Sequence, residues 1–383
     1  MFKFESNPHF ESWAGKMHVS NAMYNIPLSR PSYLPYIDEV LSATEKVLRS
    51  GNIAQGEVVA EFEQRIADYA GTRYGIAVSS GTAGLFLCLK ACGIGQGDEV
   101  ITTPYSFIAS SNVIVHAEAK PLFADIDRET YNIDMMTLHR NTLYGIKAFL
   151  PVDVFGNPYD TKLMSLQGIP VILDSCESFG SKLDRPFDAQ IFAFYPNKQL
   201  CTGEGACIVT DNKNIAEYCQ AMRSQGRKDG DKWLDSSFVG YNYRMTDLQA
   251  AIGIVQLNHW DEIRNKRRYN ALQYTIELGE LYLEGKVKWQ EQANDDVCPF
   301  VFTVEVDNRD KVMQYLLSHG VECKPYFPCI HLQKPYREMG YHEGMFPVAE
   351  EIASRTLALP FWSDISENEI IEVCSTLKEA LEA

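Results

Sequence analysis

Residues 37–48 read IDEVLSATEKVL, and a period of 3.6 places Ile37, Val40, Leu41, Val47 and Leu48 on one face of a helix that Gly51 stops. A second helix over 57–70 repeats the pattern with Val58, Phe62, Ile66 and Tyr69, closed by Gly71. Beyond it, short runs that are apolar throughout alternate with helix-length stretches. GIAVSS (75–80) leads into TAGLFLCLKAC (82–92), and DEVITT (98–103) into FIASSNVIVHA (107–117). KPLFADI (120–126), IKAFLPVDV (146–154), IPVILD (169–174) and AQIFAFY (189–195) follow. Strands without polar alternation are covered on both faces, so the pattern predicts an α/β fold with a largely parallel sheet.

After about residue 265 the texture changes. A long charged helix beginning at WDEIRN leads to CPFVFTVEV, a helix over 309–319, VECKPYF and two closing helices. This predicts a large domain over 23–265 and a smaller α+β domain over 266–383. Residues 1–22 carry no apolar signal core and are set aside as an N-terminal extension.

Composition narrows the function. The formal charge is −16 over 383 residues, which argues against a nucleic-acid partner needing a basic face. No run of about 18 apolar residues suggests a membrane span. Ten cysteines are scattered without a CxxC pair or a Cys/His cluster, so no metal site is expected. Reduced thiols in the cytoplasm are the simplest reading.

Three stretches carry candidate chemistry. In VSSGTAGL (78–85) a strand gives way to a helix through Ser80, Gly81, Thr82 and Ala83. Free N–H groups at a helix start favour a phosphate, although the same residues also cap ordinary turns. Asp174 closes the apolar run IPVILD, where ligands bind in open α/β sheets. It is placed to pair with a cationic ring nitrogen or to cap a helix. Lys198 follows IFAFYP and precedes the tight turn GEGA (203–206). A lysine leaving a core strand is either solvated or a desolvated amine fit to act as a nucleophile. Phosphate cup, carboxylate and amine together meet the needs of pyridoxal 5′-phosphate. Phe107 is a candidate to stack on its ring or to sit in the core.

VSSGTAGL, GQGDEVITTPYSFIASSNVI, FAFYPNKQLCTGEG, GYNYRMTDLQAAIG and PYFPCIHLQKPY together resemble the DegT/StrS-type aminotransferases, in collinear order from about Ile26 to the C-terminus. The resemblance implies the pyridoxal-phosphate-dependent transferase fold of type I, with a mostly parallel seven-stranded sheet. It implies that Lys198 binds the cofactor aldehyde and shuttles protons, and that Asp174 holds the ring nitrogen. Glu177 would lie near the ring hydroxyl, Phe107 on the ring face, and Gly81, Thr82 and Ala83 at the phosphate. Asn242 would reach the phosphate of the neighbouring subunit, making a homodimer with shared sites. Arg244 is a candidate for the donor carboxylate, with a structural ion pair as its alternative. His331 is a candidate for the sugar pocket, with a core or surface histidine as its alternative. Two departures stand out. Ala193 occupies a position where members often carry a phosphate-binding serine, and Lys324 one where many carry another polar residue.

The activity so implied moves an amino group from L-glutamate to a keto sugar linked to a nucleoside diphosphate, through pyridoxamine 5′-phosphate. Dehydratases of the same family replace the lysine with histidine, so Lys198 argues against that alternative. A non-catalytic sensor on the same fold is the second alternative, and the intact residue set argues against it.

Overall fold

The computed structural model describes residues 24–138, 144–165, 168–228 and 230–383; the expected extension over 1–22 lies outside them. Helices α1 (Ile37–Ser50) and α2 (Glu57–Ala70) end at Gly51 and Gly71, both left-handed with φ of 77° and 71°. The predicted stripe of α1 is only half used. Val40 and Val47 are buried, whereas Leu41 and Leu48 are each 58% exposed.

The central layer holds β1 (Tyr74–Val78), β2 (Glu99–Thr102), β3 (Lys120–Phe123), β4 (Ile146–Phe149), β5 (Ile172–Asp174), β6 (Ala189–Ala193) and β7 (Ala206–Thr210). Strand β2 pairs in parallel with β3 and β4, and β5 in parallel with β6. Parallel bridges Phe149–Val171 and Val152–Asp174 join the two groups. The order is therefore β3-β2-β4-β5-β6-β7-β1, the seven-stranded sheet that the family resemblance implies. Strand β7 alone runs antiparallel, to both β6 and β1. Its link to β6 carries no helix, and a parallel return requires a crossover.

Helices α3 (Gly81–Ala91) and α4 (Ala109–His116) follow β1 and β2. Strands β5, β6 and β7 are buried along their whole length, as their unbroken apolar runs require. Helices α5 (Lys213–Arg223) and α6 (Asp247–Asn258) precede α7 (Trp260–Glu277), which runs through the boundary expected near 265. Beyond it β8 (Val287–Lys288), β9 (Phe302–Val306) and β10 (Thr356–Leu359) form an antiparallel sheet. Helices α8 (Arg309–Ser318), α9 (Pro347–Arg355) and α10 (Glu367–Glu382) complete this part. Its core also takes in Ile26, paired with Val321.

Candidate active site

Strand β5 delivers Asp174 at its carboxyl end, where the side chain is 4% exposed. Both carboxylate oxygens are held. Ser110 Oγ, in the first turn of α4, donates to Oδ2 at 2.6 Å, and the Cys176 backbone N–H donates to Oδ1 at 3.2 Å. Behind this strand end lies a buried ion pair. Arg185 forks onto both oxygens of Asp153 at 2.6 Å, and the hydroxyls of Ser175 and Ser178 add two donors at 2.6 Å. The Asp153 N–H in turn donates to the Asp174 carbonyl at 3.0 Å. Burial alone would raise the Asp153 carboxyl, but the Arg185 charge and these hydrogen bonds outweigh it and hold the group below its ordinary value.

Lys198 sits in the link between β6 and β7, where Gly203 and Gly205 take φ of 85° and 143°. Its side chain is 12% exposed, and Nζ lies 3.4 Å from Glu177 Oε1. Nζ also stands 4.0 Å above the centre of the Phe300 ring. Glu177 accepts a second hydrogen bond, from the Phe155 N–H to Oε2 at 3.0 Å. Burial raises the Glu177 carboxyl above its ordinary value, against the opposing pull of Lys198 and of Phe155.

The third wall is the start of α3. Ser80 caps it through Oγ, which accepts from the Ala83 N–H at 3.2 Å. A Cβ at Gly81 would meet Cys176 Sγ at 2.9 Å and Ala193 Cβ at 3.2 Å, so a larger residue would intrude on that floor. Together these groups line one cavity of about 730 Å3, with Ser80, Gly81, Thr82, Asp174, Glu177 and Lys198 on its walls. Phe107 lines it too and is 61% exposed. Phe300, Tyr326 and Gln333 bring in the C-terminal part of the chain.

Not every predicted residue arrives. Ala83 does not line the cavity, and its N–H is spent on the Ser80 cap. Asn242 is exposed beside Ser224, and Arg244 donates to Ser224 Oγ at 3.3 Å; neither lines the cavity of its own chain. The assignment of His331 to the sugar pocket is corrected. Its side chain is fully buried, with Nε2 2.9 Å from Glu350 Oε1 and its ring edge-on to Phe346. Burial holds the imidazole below its ordinary value despite Glu350. Gln333, two residues further on, reaches the cavity instead. Sequence reasoning missed Ser110 and Phe300. Ser110 falls three residues after Phe107 in a predicted helix, which was the available signal; nothing local marks Phe300.

A parallel sheet with one antiparallel return, presenting a lysine beside a strand-end carboxylate, defines the type I fold of pyridoxal-phosphate-dependent transferases. Residues 36–378 match the DegT/DnrJ/EryC1/StrS aminotransferase family, and the chain belongs to it. It is 30% identical over 375 residues to the GDP-perosamine synthase of Escherichia coli O157:H7, covering 93% of this chain and 99% of that protein. It is 31% identical over 350 residues to the UDP-2-acetamido-2-deoxy-3-oxo-D-glucuronate aminotransferase of Pseudomonas aeruginosa, covering 89% and 95%. Among solved structures, NtdA of Bacillus subtilis with bound cofactor PMP superimposes with a TM-score of 0.84 at 26% identity, covering 97% of this chain and 92% of that one. Among the described residues, no helix is long and apolar enough to cross a membrane.

Proposed function

We propose that the protein transfers an amino group from L-glutamate to the keto group of a sugar carried on a nucleoside diphosphate, with pyridoxal 5′-phosphate as cofactor. The observation that carries this reading is the meeting of Lys198, Asp174, Glu177 and the α3 start in one cavity of about 730 Å3. The residues fit the cofactor: a bare Gly81 leaves room beside Cys176 and Ala193, and N–H groups at the first turn of an 11-residue helix favour a phosphate. Relatives named for perosamine and aminoglucuronate chemistry support a nucleotide-sugar acceptor.

When bound, the cofactor supplies an aldehyde that exchanges with an amine and a ring that accepts electrons. Gly81 and Thr82 would hold the phosphate through their N–H groups. Asp174, held in place by the Ser110 hydroxyl and the Cys176 N–H, would pair with the protonated ring nitrogen. Phe107 would cover the ring face, and Glu177 would lie by the ring hydroxyl; both line the cavity. Lys198 would be the amine that holds the cofactor aldehyde, with water as the by-product, and when released as a neutral amine would be the base for the Cα proton of the donor amino acid. Phe300, Tyr326 and Phe327 wall off water on the side of the C-terminal sheet.

The same reading places Asn242 of the partner subunit at the phosphate, in a homodimer, and Arg244 at the donor carboxylate. It divides the chain into a cofactor-binding part over 23–265 and a smaller part over 266–383. Ten unpaired cysteines support a reducing, cytoplasmic compartment. The test is a panel of nucleotide-linked keto sugars with L-glutamate as donor. Formation of 2-oxoglutarate together with an aminated sugar is the expected result. A protein that binds the cofactor yet converts no acceptor with any amino donor would overturn the reading.

A further inference from the structure

We propose that Phe300 is a positioning residue for Lys198, its ring holding the side chain once the released amine has taken up a proton and until it bonds the cofactor again. The inference rests on the reading of Lys198 as the cofactor lysine.

Four contacts close a circuit around this amine. Lys198 Nζ stands 4.0 Å over the Phe300 ring centre and 3.4 Å from Glu177 Oε1. Glu177 Oε2 accepts from the Phe155 N–H at 3.0 Å. The Phe155 carbonyl accepts from the Phe300 N–H at 3.0 Å, which returns to the start. Phe155 faces both partners because it adopts a left-handed conformation, φ 59° and ψ 18°, rare for a bulky side chain. Gly156 follows at φ 95°, packed so closely that a Cβ would meet Cys298 O at 2.8 Å and Phe300 N at 2.9 Å. A strained kink thus fixes the carboxylate and the ring together.

The ring itself has little freedom. Phe300 is 4% exposed and lies parallel to Tyr326, with centroids 6.5 Å apart and planes 10° from each other. A cation over an aromatic face is attracted by the ring quadrupole, most strongly where water is thin, and this side chain is 12% exposed. A lysine has four rotatable bonds to order. Transamination passes through a stage in which the lysine is free yet must stay within reach of the reacting atoms, and Phe300 with Glu177 gives it a resting place. Bonding to the cofactor takes the free ammonium away from the ring.

That trade sets the direction of the test. Apoprotein is titrated with pyridoxal phosphate, which engages the lysine, and with pyridoxamine phosphate, which leaves it free; both dissociation constants are read by absorbance. In Phe300→Leu the free lysine loses its platform and the engaged one does not. The ratio of the pyridoxamine to the pyridoxal dissociation constant then rises about two- to thirtyfold, through tighter pyridoxal binding. Phe300→Tyr keeps the ring and the wild-type ratio. A core role alone would weaken both forms together and leave the ratio unmoved, and that result overturns the proposal, as does an unchanged ratio at undiminished affinity. If borohydride fails to fix pyridoxal phosphate to Lys198 in the wild type, it is the underlying reading of the lysine that has failed.

Discussion

Ser110 and Asp174 lie 64 positions apart in the chain, and the serine hydroxyl donates to the aspartate Oδ2 at 2.6 Å inside the protein. A charged acceptor that loses such a donor loses about 1.5–3 kcal/mol. Ser110→Ala therefore weakens pyridoxal phosphate retention by about tenfold or more, since the misoriented carboxylate pairs less well with the ring nitrogen. Equilibrium dialysis against free cofactor measures it; retention equal to wild type would remove Ser110 from the account.

The proposed function assigns the covalent chemistry to Lys198. Borohydride treatment of the holoprotein, followed by digestion and mass spectrometry, should leave the cofactor on the peptide holding Lys198. In Lys198→Ala no peptide is labelled, and turnover drops by about 10²–10⁴-fold or more as proton transfer is lost. Label on any other lysine of the wild type contradicts the assignment.

The Asp153–Arg185 pair and Glu177 act on stability with opposite signs. Asp153 has a carboxyl held below its ordinary value in the folded chain, so its stabilisation is present above the ordinary carboxylate range and is lost as pH falls through that range. Glu177 is held above its ordinary value, so stability declines as pH climbs from the ordinary range through the raised one. Removing one partner of a buried pair costs about 3–5 kcal/mol, the outcome expected for Asp153→Asn. Urea midpoints measured across acid to neutral pH should show a flatter acid limb in Asp153→Asn. In Glu177→Gln they should show a smaller decline toward neutrality. Profiles parallel to wild type in both variants would refute the linkage.

Gly156→Ala tests the kink that holds the amine's surroundings. The added methyl meets Cys298 O, Phe300 N and Glu177 O at 2.8, 2.9 and 3.0 Å, on a backbone with φ 95°. The strain destabilises the fold by about 1–3 kcal/mol, with the loss visible as a lower urea midpoint. A midpoint within error of wild type would mean that the neighbouring strands give way freely.

Ala193→Ser restores a hydroxyl on the cavity wall beside Gly81. One added hydrogen bond contributes about 0.5–1.5 kcal/mol, so phosphate-bearing cofactor binds about two- to tenfold tighter. No gain, or a loss, would show that Cys176 and Gly81 leave the hydroxyl no access.

Local pattern made much of this legible. Apolar runs marked six of the sheet's strands, and Asp174 and Lys198 stood out because one closes such a run and the other follows one. What stayed hidden depends on contacts between distant segments. Phe300 reads as one more apolar residue in CPFVFTVEV until the chain closes over Lys198, 102 positions earlier. His331 looked available because a histidine in a motif carries no sign of burial; Glu350, which pairs with its Nε2, lies on α9. The half-exposed stripe of α1 follows the same logic, since periodicity gives a face but not what covers it. Lys324, flagged as a departure, is 51% exposed and pairs with Glu322 at 3.1 Å.

The cavity is assembled from segments that are far apart in the gene, that of Phe300 among them. The amine, the carboxylate and the phosphate cup come from the sheet between Val78 and Ala206, while Tyr326, Phe327 and Gln333 come from the last sixty residues. Changes in that late stretch can remodel what enters the cavity while leaving the anchoring groups undisturbed. Graft chimaeras that exchange residues 325–333 between relatives can test directly whether that stretch changes what the cavity admits.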